Sequence, residues 1–241
     1  MLRYGTFSES GHPLSWASAG LRCVLRATLA VAGALCLAGC AHTPPGATQQ
    51  GLRQMIVQFT VRGRIDLNKH YFIALDLTGD TSQGPIPVVQ RPWGNGWGAG
   101  RITHYVQMDA AQPGYAGIYK FRPDSSLLAA DYLGRPLAVS IPAGGNTVEV
   151  ALDLDLLQGA IPVTQQLNLN LISTDIIPID PAFPGPKLVD ALGPGAGNGF
   201  ITLNTQSSRI YRNSDSLEPE GADNADIDLD LVDWQIEVRN R

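Results

Sequence analysis

From residue 54 onward the chain alternates apolar and polar side chains with a period of two. Val57 and Phe59 fall on one face of this stretch, and Gln58, Thr60 and Arg62 on the other. That is the pattern of a strand with one face buried. The same texture predicts strands over 71–77, 102–109, 117–122, 137–141, 147–156, 167–173, 200–203 and 229–238. The alternation is sharpest at 148–156, where valines and leucines hold the even positions while Glu149, Asp153 and Asp155 hold odd ones. A slip of one residue there would bury the carboxylates, so the pairing register is tightly specified. Leu167, Leu169 and Leu171, spaced by Asn168 and Asn170, should face the same core. No long stretch has helical period with caps; short candidates for a helix are 125–132 and 186–192. Many short strands, punctuated by 26 glycines and 17 prolines, predict an all-β, antiparallel sandwich or barrel.

The first 52 residues have another texture. An apolar run over 24–37 follows Arg22 and contains Arg26, and ends in Leu37-Ala38-Gly39-Cys40. A basic flank, a short apolar stretch and small residues before a cut site form a secretory signal pattern. The run falls short of the roughly 20 residues that a membrane-spanning helix needs. Its end resembles the lipobox of bacterial lipoproteins, which implies that Cys40 becomes the first mature residue and carries lipid. Two or three acyl chains would hold it on a membrane where one holds only marginally. Residues 1–39 are then a signal peptide. Residues 40–52, rich in Pro, Gly, Thr and Gln, form a tether able to reach about 40 Å when extended. Residues 53–241 form a single β-sandwich domain. The absence of aspartate after Cys40 points to the outer membrane where one exists, and otherwise to the outer face of the cytoplasmic membrane.

Cleavage before Cys40 removes three of the 17 basic residues and one of the 22 acidic ones, leaving a net charge of −7. An acidic chain of this kind argues against nucleic acid as a partner. Cys23 and Cys36 leave with the signal peptide, so neither a disulfide nor a thiolate metal site is expected.

Three segments in order resemble the DOMON-like superfamily, which includes family 9 carbohydrate-binding modules. Residues 72–84 resemble its strand and acidic glycine loop. Residues 148–159 resemble a later strand ending in leucine and glycine, and 167–175 with 188–193 the next strand and its loop. A terminal strand over 228–238 fits the same plan. The resemblance implies an immunoglobulin-like β-sandwich that binds sugar or haem. Family 9 modules hold a sugar between two tryptophans; here Trp93 and Trp97 sit close together in one Gly-rich loop. Haem-binding members use a Met and His pair; His104 and Met108 lie four apart on one predicted strand, about 13 Å along it, too far to ligate one iron from opposite sides.

Trp93 and Trp97 are the sharpest candidates for ligand contact, because an aromatic face stacks on the apolar face of a pyranose. Asn95, Arg91 and Arg101 could supply hydrogen bonds to hydroxyls. The competing reading folds both indoles back to cap one end of the sandwich. Asp76, Asp80 and Asp190 are candidate Ca²⁺ ligands, since Ca²⁺ takes six to eight oxygens; turn formation explains Asp80 as well. The acidic run over 218–228 reads as a solvated loop or as a second cation site. No nucleophile elbow or metalloprotease helix is present. The expected function is a membrane-anchored, non-catalytic binding lipoprotein of the cell envelope with carbohydrate as ligand; the alternative is a structural or assembly lipoprotein that binds another envelope protein.

Overall fold

A computed structural model describes residues 53–158, 165–194, 196–197, 199–213 and 223–240. Cys40 and the expected tether lie outside the described residues. The fold is an antiparallel β-sandwich, as the alternation predicts. In the first sheet the order is β13 (Arg209–Arg212), β14 (Leu231–Asn240), β1 (Arg53–Val61), β9 (Thr147–Asp153) and β8 (Ala138–Ser140). β1 is central, and its alternate residues Met55, Val57, Phe59 and Val61 are fully buried. Phe59 lies between Trp234 and Val148, Val57 between Ile236 and Val150, and Met55 between Val238 and Leu152. A bulge opposite Thr60 and Val61 lets Leu231 and Trp234, three residues apart, both point into the core.

The second sheet runs β11 (Val189–Ala191), β10 (Gln166–Thr174), β2 (His70–Asp76), β5 (His104–Met108), β6 (Ala116–Phe121) and β7 (Ala130–Gly134). β12 (Ile201–Asn204) pairs with the other end of β10. Ile73, Leu75, Val106, Met108, Ile118 and the three leucines of β10 meet the first sheet in one core. β10 is buried on both faces. On its outer face Asn168 Nδ2 donates to the carbonyls of Asp80 and Gln83, and Asn170 Nδ2 to that of Pro85. These bonds hold down the loop that leads into a small hairpin, β3 (Pro85–Pro87) with β4 (Gly98–Gly100). Further along the outer face, Phe72, Trp97, Tyr105 and Phe121 form a second apolar cluster. A tyrosine row, Tyr105, Tyr119 and Tyr132, pairs across β5, β6 and β7; its last member is half exposed.

Three expectations are corrected. The strand expected over 147–156 ends at Asp153, and residues Leu154–Gln158 form a one-turn helix, α1. Asp153 Oδ1 accepts the N–H groups of Asp155 and Leu156, which is how an aspartate starts a helix. Leu154 and Leu157 are buried while Leu156 is exposed, a helical spacing that the alternating pattern had masked. Arg53 pairs with Asp155 at 2.5 Å and ties α1 to β1. The candidate helix over 186–192 is instead β11, recruited by β10. The candidate over 125–132 is a turn with positive φ at Ser126 and Leu127 followed by β7. Among the described residues no helix is long and apolar enough to cross a membrane.

Candidate functional site

The tryptophan loop is built from the inside out. Gly96, at φ +92°, sits where a Cβ would fall 2.5 Å from Ile177, so the loop closes on the 177–178 segment only with glycine there. Asn95 Oδ1 accepts the N–H groups of Trp97 and Gly98. Trp97 is then laid flat on Phe72, with ring centroids 4.0 Å and planes 3° apart. Tyr105 and Phe121 pack against the same indole, with ring centroids 5.1 and 6.2 Å away. Trp93 donates through Nε1 to the carbonyl of Phe183 and lies under Lys187, whose Nζ is 5.1 Å from the ring centroid. Burial lowers the Lys187 pKa to about 8, and its ammonium donates to the carbonyl of Val88. Both indoles are more than nine-tenths buried. They cap the outer face of the sheet and present no open ring for a sugar. Arg101 is held by Asp80 at 2.5 Å; Arg91 is exposed beside Pro92.

The three carboxylates expected to share Ca²⁺ do not converge. Asp76 accepts the N–H and the hydroxyl of Thr78, while Asp80 accepts Ser82 and Arg101. Asp76 and Asp190 pair with β10 at Asn168 and Ser173, five residues or about 17 Å apart along that strand. Asp190 meets other partners. Its carboxylate lies within 4.8 Å of those of Asp223 and Asp230. Burial, followed by the neighbouring Asp223 and Asp230 charges, pushes the Asp190 pKa up to about 7 against the pull of two backbone N–H groups.

A well-formed concavity lies elsewhere, at the end of the sandwich where β2 stops, β5 starts and β6 stops. It is a cleft of about 530 Å³, within the range typical of small-molecule sites. Leu77, Ile102, Phe121 and Leu127 supply apolar walls. Thr103, His104 and Arg122 supply polar groups. Asp124, Ser126 and Leu127 on its rim all have positive φ, a backbone held away from its easy conformations, as is common at binding sites.

His104 is buried, and burial, with the nearby Lys120 charge, lowers its pKa to about 4. It is therefore neutral near pH 7. The Thr103 hydroxyl lies 3.2 Å from the carbonyl of Leu75 and accepts the Leu77 N–H. His104 Nδ1 lies 3.0 Å from that hydroxyl. Its Nε2 is buried without a hydrogen-bond partner among the described residues.

No family model, curated protein or solved structure matches the chain. The cleft was not foreseen because its walls come from three strand ends and a turn far apart in sequence. The visible hint was His104 at the head of a mostly apolar strand.

Proposed function

We propose that the protein is a lipid-anchored, non-catalytic binding protein of the bacterial cell envelope, built on a DOMON-like sandwich and held to a membrane through Cys40. Its ligand site is the end cleft beside His104, and its ligand a carbohydrate. The cleft carries this reading. A pyranose has an apolar face and a rim of hydroxyls, which suits walls of Leu77, Ile102 and Phe121 set among Thr103, His104, Arg122 and Ser126.

Binding to a glycan array tests the proposal, with Ser126→Trp to fill the cleft and Arg122→Ala to remove a polar group. Both side chains stand on the rim, so the fold should survive. Tyr132→Ala, at the exposed end of the tyrosine row, is the control. Glycan binding that is lost in the first two variants and kept in the third supports the cleft. Loss only on Tyr132→Ala would move the site to the tyrosine row. No glycan binding at all would reject carbohydrate and favour an envelope-protein partner.

A further inference from the structure

The end of β11 and the start of β14 belong to different sheets, and three carboxylates meet where they join. Asp190, on β11, is 1% exposed; its Oδ1 accepts the Ala191 N–H at 2.9 Å and its Oδ2 the Leu231 N–H at 2.7 Å. Asp230, just before β14, is fully buried. Its Oδ2 accepts the Arg62 Nε, whereas its Oδ1 is buried with no hydrogen-bond partner among the described residues. Asp223 completes the group from a half-buried position.

An unpartnered carboxylate oxygen in a dry site costs more than almost any other polar group, so something must satisfy Asp230 Oδ1. Nearby carboxylates show the ordinary solution. Asp226 receives the Lys69 ammonium at 2.6 Å through both oxygens, and Asp228 lies 3.5 Å from the same ammonium. Lys69 thus serves those two.

We propose that Asp190, Asp223 and Asp230 bind a divalent cation, Ca²⁺, which clamps the end of β11 to the start of β14. The geometry fits the ion. Ca²⁺ binds oxygen at about 2.4 Å, so two of its ligands can stand up to roughly 4.8 Å apart; the carboxylate oxygens here lie within 4.8 Å of one another. The donors at the cluster are all oxygen, which favours a hard cation over zinc or copper. Mg²⁺, at about 2.1 Å, needs a tighter and more regular cage. The ion would also supply the missing partner of Asp230 Oδ1 and neutralise carboxylates that otherwise repel. A clamp here joins the two sheets at a point already crossed by the Leu231 N–H bond to Asp190 and by the Ser173 hydroxyl, which donates to the Leu229 carbonyl.

The test is thermal unfolding of the purified protein after treatment with a chelator, then with ~1 mM Ca²⁺ or ~1 mM Mg²⁺, alongside calorimetric titration. The expected result is a single Ca²⁺ site and a melting temperature raised by about 5 °C by Ca²⁺, with a smaller Mg²⁺ response. Asp223→Asn and Asp230→Asn should each abolish the Ca²⁺ shift. If Asp230→Asn does not fold, Asp223→Asn, at the less buried position, carries the test. A melting curve that is the same in chelator and in Ca²⁺ overturns the proposal, leaving a shared proton as what holds the carboxylates together. A Ca²⁺ shift that survives Asp223→Asn overturns it too, and an equal response to Mg²⁺ overturns the choice of ion.

Discussion

Trp97 lies flat on Phe72, ring centroids 4.0 Å apart and planes 3° apart, so the indole that the sequence offers as a sugar platform is spent on packing. Trp97→Ala should therefore behave as a core truncation, costing about 3–5 kcal/mol. Chemical denaturation should show the loss directly. Trp97→Phe should recover much of it, because a ring still covers Phe72.

Asn170 makes a sharper test of how the outer face is held. It is fully buried, gives Nδ2 to the carbonyl of Pro85, and takes the Leu192 N–H on Oδ1. Asn170→Ala takes the side-chain donor from the Pro85 carbonyl and leaves the Leu192 N–H only its 3.3 Å bond to the Leu171 carbonyl, at a cost of about 1–3 kcal/mol. Hydrogen exchange should then speed up at Leu192 and in the 80–87 loop well before it does in β1.

His104 makes stability depend on pH in a stated direction. Its folded pKa, near 4, lies below the ordinary value near 6.5. The unfolded chain thus takes up a proton around pH 6.5 that the folded chain refuses until about pH 4. This contribution is fully present above pH 6.5 and is lost as pH falls through that window, by on the order of 3 kcal/mol in all. Urea unfolding of the wild type and of His104→Phe between pH 7 and 4.5 should show a flatter slope in the variant. Equal slopes would mean that the imidazole is readily protonated in the folded state.

Anchoring is tested separately. Cys40→Ser should move the protein from the membrane fraction to the soluble one, with the melting temperature of the domain unchanged. Retention in the membrane fraction would remove the lipid from the account.

The sheets were legible wherever burial is one-sided. Met55, Val57, Phe59 and Val61 declare β1 by period alone, and the same holds for Val148, Val150 and Leu152 in β9. Strands that owe their existence to a neighbour were not legible. β11 is three residues paired to β10, too short to display a period, and β7, which follows a turn with three positive φ values, has no buried face to display one. α1 was hidden because Leu152 and Leu154 continue the strand alternation until Asp153 caps a helix. Of the residues singled out in advance, Asp190 does join a carboxylate cluster, but with Asp223 and Asp230 and not with Asp76 and Asp80. Only the register of β10, which sets Asp76 and Asp190 five residues apart, decides between those sets. The tryptophans were ambiguous for a physical reason: the glycines that would let a ligand approach equally let the loop fold shut.

The cleft is tested most directly by locating a bound sugar. Hydrogen–deuterium exchange of the protein with and without a saturating glycan that it binds should show new protection at 77–78, 102–104 and 120–127, with 91–98 and 130–134 unchanged. Protection confined to 91–98 or to the strand bearing Tyr132, with none around His104, would contradict the assignment of the cleft as the binding site.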